Sequence, residues 1–214
     1  MSETQTEWLR HPLVSMVLGF VLTGIVGTAI TQHFLDHREQ EKLRAQVAAD
    51  RKQAIQQFSK LSQARNVRAE MMLKALRSDA DGDELASFKQ EYDKAYVEWS
   101  IERQSILLLF RDLLSAESAK LIEKNVTQSL GENIVNPIRN CLTDAIDKAD
   151  DRATVKQIFL SCQIDELLDR SSACSLALAK AVSDLAGKHS EWISKEDKAV
   201  AREEARDSIG KQCL

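Results

Sequence analysis

The chain has 214 residues, with 29 Lys and Arg against 33 Asp and Glu for a net charge of −4, and it carries only four histidines and four cysteines. That balance argues against a strongly basic nucleic-acid binder, and the shortage of His and Cys leaves no metal-ligand or Cys/His catalytic spacing. Seven glycines and two prolines punctuate it so sparsely that long helices are the expected element.

The first element is the apolar stretch 13–30, LVSMVLGFVLTGIVGTAI, eighteen residues without a charge or a proline. At the helical rise it covers about 27 Å, close to the thickness of a bilayer's hydrocarbon layer. A cleaved signal peptide is the rival reading, with Gly27 and Ala29 as small residues near a cleavage site. The preceding twelve residues hold Glu3, Glu7 and a single Arg10, which lacks the basic character of a signal peptide, so a retained transmembrane helix is expected. Basic residues cluster after the stretch (Arg38, Lys42, Arg44, then Arg51 and Lys52) and not before it. This predicts an N-terminus outside and the bulk of the chain in the cytoplasm, at a bacterial inner membrane. Arg38, Lys42 and Arg44 are the expected lipid-headgroup contacts, and Trp8, His33, Phe34 and His37 suit the interfacial zones.

Within this helix Ser15, Gly19, Thr23, Gly27 and Thr31 recur at every fourth position. Residues four apart share a helix face, and small ones allow two backbones to approach closely. They form the expected packing interface, either with another copy of the chain or with a different membrane or cytoplasmic protein.

The first helix is expected to continue out of the membrane as a stalk. Leu43, Val47, Ala54, Phe58, Leu61, Met72 and Leu76 follow a heptad-like course interrupted by Arg65 and Arg68, with a break near residues 48–53 as the alternative. Residues 31–78 carry a net charge of +5 and residues 79–150 one of −7, so the basic block faces lipid, nucleic acid or its own acidic neighbour. The turn at 78–84 contains Gly82, and Asp83 is the expected N-cap of the next helix. That helix, over about 84–114, carries an aromatic series (Phe88, Tyr92, Tyr96, Trp99) and then the wholly apolar ILLLF at 106–110.

A third element starts at Ser115 or Ser118 and ends at Gly131, and Asn136-Pro137 opens a short helix. Asp150 or Asp151 caps a last long helix, closed by Gly187, which contains both Cys162 and Cys174. The tail 188–214 is charged, with Trp192, Ile193, Val200 and Ile209 as its sizeable apolar anchors. It reads as a weak surface helix or as partly disordered. On one helix Cys162 and Cys174 stand about 18 Å apart, too far to bridge each other, and in a reducing cytoplasm Cys141, Cys162, Cys174 and Cys213 are expected as free thiols.

Three motifs come close to a chemistry. His33, His37 and Glu41 share a helical spacing but lack further ligands. Asp79, Asp81 and Asp83 resemble the start of a calcium loop, yet Glu84 stands where that loop needs glycine and Gln90 where it needs glutamate. HEPN-type ribonucleases carry an Arg followed five to seven residues later by His. No Arg here does so, and Arg139-Asn140 has no histidine after it before His189. The chain is similar to membrane-anchored, HEPN-like accessory proteins of CRISPR systems in architecture only.

The expected protein is therefore all-α: a short extracytoplasmic N-terminus (1–12), a transmembrane helix (13–32), a cytoplasmic helical stalk and antiparallel bundle (33–187), and a charged tail (188–214). It is expected to self-associate as a non-enzymatic interaction or membrane-effector subunit. No cofactor, metal, catalytic residue or nucleic-acid partner is expected. The alternatives are an extracytoplasmic sensor of opposite topology and a degenerate HEPN-like RNA-binding or nuclease bundle, in which Arg139 clusters with other polar groups.

Overall fold

The computed structural model describes residues 12–78, 80–187 and 194–213, and ahead of Glu41 it describes the side chains of Phe20, Arg38 and Glu39 only. The chain is all-helical, and among the described residues there is no strand. Its elements are α1 (Pro12–Arg77), α2 (Gly82–Leu113), α3 (Ala116–Lys124), a π-helix (Asn125–Val135), α4 (Asn136–Ile146), α5 (Arg152–Cys162), α6 (Ile164–Gly187) and α7 (Lys195–Cys213). Two compact units divide the chain, Met1–Ala49 and Asp50–Leu214.

In the first unit every described side chain is exposed, including Phe20 at 85%, Leu43 at 62% and Val47 at 54%. Among the described residues no helix is long and apolar enough to cross a membrane. The stretch 13–30 expected to do so has a helical backbone, but its side chains, Phe20 apart, lie outside those described.

The second unit holds the core. From α1 come Ala54, Phe58, Leu61, Ala69, Met72 and Leu73, whose three- and four-residue steps place them on one face. Opposite them α2 contributes Tyr92, Trp99, Ile106, Leu107 and Phe110. Phe58 and Phe110 meet edge to face, with ring centroids 6.1 Å apart. Side chains of this size each stabilise the fold by about 1.5–3 kcal/mol when buried, so a handful of them fixes how the two helices face each other.

Helix starts follow side-chain chemistry. Asp81, not Asp83, caps α2 by accepting from the Glu84 amide at 2.8 Å, and Gly82 is already inside the helix. Ser115 caps α3, and Asp151 caps α5 through the Ala153 and Thr154 amides. The Thr154 hydroxyl and amide hold the Asp151 carboxyl below the usual carboxylate range.

Four further expectations are corrected. Gly131 does not end a helix: α3, the π-helix and α4 follow without a break, because the wider turn lets the Asn136 amide reach the Gly131 carbonyl and brings Pro137 into the first turn of α4. The single long helix after Asp151 is two helices, divided at Gln163, which adopts the left-handed conformation (φ 52°, ψ 47°). The tail between Lys195 and Cys213 is a helix that buries Ala201, Ala205, Ile209 and Cys213, one residue per turn, while Val200 stays 55% exposed. Small alanines at four-residue steps let α7 lie close against α6 where bulky anchors would hold it away; Trp192 and Ile193 lie outside the described residues.

The fourth correction concerns the cysteines, none of which is free. Cys141 on α4 pairs with Cys162 at the end of α5, with Cα atoms 6.2 Å apart. Cys174 on α6 pairs with Cys213 at the end of α7, with Cα atoms 4.7 Å apart. The free-thiol expectation rested on a reducing cytoplasm and on the distance between Cys162 and Cys174 along one helix, whereas both pairings run between helices.

Candidate functional site

Arg65 is the largest polar side chain in the core, 2% exposed, on the same face of α1 as Leu61, Ala69 and Met72. Its guanidinium lies 4.5 Å from the centre of the Trp99 ring on α2. Arg103 holds a second guanidinium 4.9 Å from the centre of that ring. Among the described residues neither arginine forms an ion pair. Both positive charges lie against the same aromatic ring, and Arg65 is met by neutral hydrogen bonds as well.

Those hydrogen bonds run to α6. Arg65 Nη2 donates to Ser171 Oγ at 2.7 Å and to Asn66 Oδ1 at 2.8 Å. Ser171 Oγ donates to the same Asn66 oxygen at 2.9 Å, and Asn66 Nδ2 donates to Ser172 Oγ at 3.0 Å. Ser175 closes the group by donating to the Ser171 carbonyl at 2.7 Å. Burial pushes the Arg65 guanidinium down to about 10, the ordinary response of a cation taken out of water. The same burial pushes the Tyr92 hydroxyl up.

Five buried side-chain atoms lack a hydrogen-bond partner among the described residues: Ser62 Oγ, Arg65 Nη1, Tyr92 Oη, Trp99 Nε1 and Arg103 Nε. They belong to one neighbourhood. Trp99 touches both arginines, Ser62 precedes Arg65 by three residues on α1, and Tyr92 interacts electrostatically with Arg65. The indole and guanidinium nitrogens can only donate, and the two hydroxyls can donate as well, so the cluster is rich in donors and short of acceptors.

The π-helix is shaped around this cluster. A Cβ added at Gly131 would stand 2.8 Å from Arg103 Nη1, 3.3 Å from the Val126 carbonyl and 3.9 Å from the Trp99 ring. The glycine lets the Arg103 guanidinium approach the π-helix closely, and its backbone conformation does not call for glycine.

A groove of about 360 Å³ runs between α1 and α6, lined by polar residues that include Ser62, Gln63, Asn66, Ser172 and Ser175. A second groove, of about 400 Å³, has Phe159 and Leu160 in its wall. There Arg77 forms a double hydrogen bond with Asp165 (2.7 and 3.0 Å) and stands 5.5 Å from the Phe159 ring centre.

The residues singled out from sequence fall elsewhere. Arg38, Lys42 and Arg44 are exposed on α1. The side chains of Ser15, Gly19, Thr23, Gly27 and Thr31 lie outside the described set, as do those of His33 and His37 and the residue Asp79. Asp81 is occupied as a helix cap. Arg139 is exposed, stacked 4.5 Å from the Tyr96 ring centre, and the Tyr96 hydroxyl donates to Asn136 Oδ1 at 3.3 Å. The described residues contain no group of His, Cys, Asp and Glu arranged to hold a metal. The Arg65–Trp99–Arg103 cluster itself was missed. Its signal was an arginine at position 65, in step with Leu61 and Met72, read as an interruption of the apolar seam.

No protein-family model matches the chain, and no curated protein or solved structure is significantly similar to it.

Proposed function

We propose that the protein is a single-pass membrane protein whose helical bundle works as a non-enzymatic, self-associating interaction or effector subunit. Residues 13–30 cross the bilayer, and copies pack through the Ser15, Gly19, Thr23, Gly27 and Thr31 face. The observation that carries this reading is the first unit, a helix in which every described side chain is exposed, apolar Phe20, Leu43 and Val47 included. Exposed apolar side chains on a helix suit a bilayer or a partner that takes them out of water. Arg38, Lys42 and Arg44 suit anionic headgroups at the membrane surface. In this account a change in the bundle alters the packing of the membrane helices, since α1 contributes residues to both units.

The test is extraction of membranes with alkaline carbonate. The full chain stays in the membrane, and a variant lacking residues 13–30 is released. Release of the full chain would overturn the anchor.

The basic flank orients the bundle toward the cytoplasm. A second reading, with the bundle on the outer side, is favoured by one observation: all four cysteines are paired between helices, a pattern typical of oxidising compartments. Acid-quenching cells and alkylating with a mass-tagged maleimide separates the two. Four tags without prior reduction mark a reduced, cytoplasmic bundle, and none marks an outer one.

A further inference from the structure

We infer that the groove between the end of α1 and α5 binds a small carboxylate carried on an apolar chain or ring, with Lys156 as its counter-charge. The inference concerns the second unit alone and does not rest on the membrane reading.

The floor of this groove is apolar. Val155 and Phe159 are buried there, at 4% and 6% exposure, Leu76 is half-buried, and Leu160 is 64% exposed. The rim is cationic. Arg77 from α1 and Arg152 and Lys156 from α5 line it, and Asp165 is the one acidic residue that joins them among the described residues. The sequence of α5 produces this arrangement: Arg152, Lys156 and Leu160 stand four residues apart on one face, and Val155 and Phe159 stand four apart beside them.

Charge decides the sign of the ligand. Asp165 is engaged by the double hydrogen bond from Arg77, at 2.7 and 3.0 Å. Lys156 forms no ion pair among the described residues, so the groove keeps a positive surplus. A cation would be repelled there, and a neutral apolar molecule would leave that charge unused. The Arg77–Asp165 pair also indicates which anion suits the groove, a carboxylate gripped through both oxygens beside the Phe159 ring. An apolar body attached to such a group lies over Val155 and Phe159 and takes the exposed Leu160 out of water. A volume of about 400 Å³ is that of a small-molecule site.

Octanoate and naphthoate supply the chain and the ring. Each is dialysed to equilibrium against the full chain in detergent, with protein-free micelles subtracted. At least one binds saturably. Acetate, which lacks the apolar body, and octanamide, which lacks the charge, bind roughly 5-fold or more weakly. Lys156→Glu weakens binding roughly 5- to 30-fold and Leu160→Ser roughly 3- to 10-fold. Asp165→Asn removes the competing negative charge and frees Arg77, so it binds roughly 2- to 5-fold more tightly. Damage to the fold does not produce a gain of that kind. Lys180→Glu, on α6 and outside the lining of this groove, binds like wild type.

Two outcomes overturn the proposal. If neither acid binds saturably, or octanamide binds as tightly as octanoate, the groove does not select a carboxylate. If Lys156→Glu or Asp165→Asn keeps the wild-type affinity, the acid sits elsewhere.

Discussion

The guanidinium of Arg65 lies 4.5 Å from the centre of the Trp99 ring, and that ring also carries Arg103 at 4.9 Å. One aromatic side chain thus holds two cations that have no carboxylate partner among the described residues. Trp99 is itself 2% exposed, so its loss removes both packing and the cations' π-face. Trp99→Ala is expected to cost about 3–5 kcal/mol in denaturant unfolding. Trp99→Phe retains a ring of weaker cation affinity and should cost distinctly less. Equal losses for the two variants would mean that the ring kept by phenylalanine supports neither the packing nor the two cations.

Gly131 and Gly210 make a matched pair of glycines inside helices. A Cβ at Gly210 meets nothing within 4 Å, so Gly210→Ala should gain about 0.5–1 kcal/mol from reduced backbone freedom in the unfolded chain. At Gly131 the same change puts a methyl 2.8 Å from Arg103 Nη1, which must leave its place beside Trp99. Gly131→Ala should therefore show no gain, or a loss of about 1 kcal/mol, and should change the near-ultraviolet signal of Trp99. Urea denaturation of the two variants side by side gives the comparison.

The disulfides close segments of different length. Cys174 and Cys213 are 39 residues apart and Cys141 and Cys162 are 21 apart. On chain-entropy grounds, replacing the first pair by serines costs roughly 4 kcal/mol and the second roughly 3 kcal/mol. Loss of Cys174–Cys213 should also raise hydrogen exchange selectively in α7, since that bond ties its last described residue to α6. Unchanged protection in Lys195–Cys213 would contradict this.

Acid should loosen one specific contact. The two hydrogen bonds from Arg77 hold the Asp165 carboxyl below the usual carboxylate range, with burial opposing them. A carboxyl lowered in the folded state stabilises the fold above its unfolded value near pH 4, and that contribution fades as pH falls through the lowered folded value. Both partners are largely exposed, 47% and 68%, so solvent screening limits the effect to about 1 kcal/mol or less. Asp165→Asn should be slightly less stable than wild type at pH 7, and the difference should vanish once acid has protonated the lowered carboxyl. A gap that persists in acid would assign the effect to packing against Phe159.

Much of this fold was legible from the spacing of apolar residues. Ala54, Phe58, Leu61 and Met72 on α1, and Tyr92, Trp99, Ile106 and Phe110 on α2, are buried as their helical period predicts. Ser115 and Asp151 cap helices as their chemistry suggests. The misses share a cause, that they depend on what stands across from a residue in space. Gly131 read as a terminator because glycine usually ends helices, yet the Arg103 side chain dictates it. Ala201 and Ala205 carry too little hydrophobicity to announce a buried face, although their small size suits close packing on α6. Gln163 gave no glycine signal for its left-handed turn; the acidic pair Asp165-Glu166, in the first turn of α6, was the available clue to a new helix start. The Arg65 cluster was hidden because a charged residue in an apolar register reads as an interruption until its partners are known.

The most direct measurement of the central claim is the mass of the detergent-solubilised protein by light scattering, with the detergent contribution subtracted. A self-associating membrane subunit gives a discrete multiple of 24.0 kDa, and Gly19→Leu with Gly27→Leu reduces it to the monomer mass. A monomeric wild type, or an oligomer that survives both leucines unchanged, would contradict association through the membrane helix.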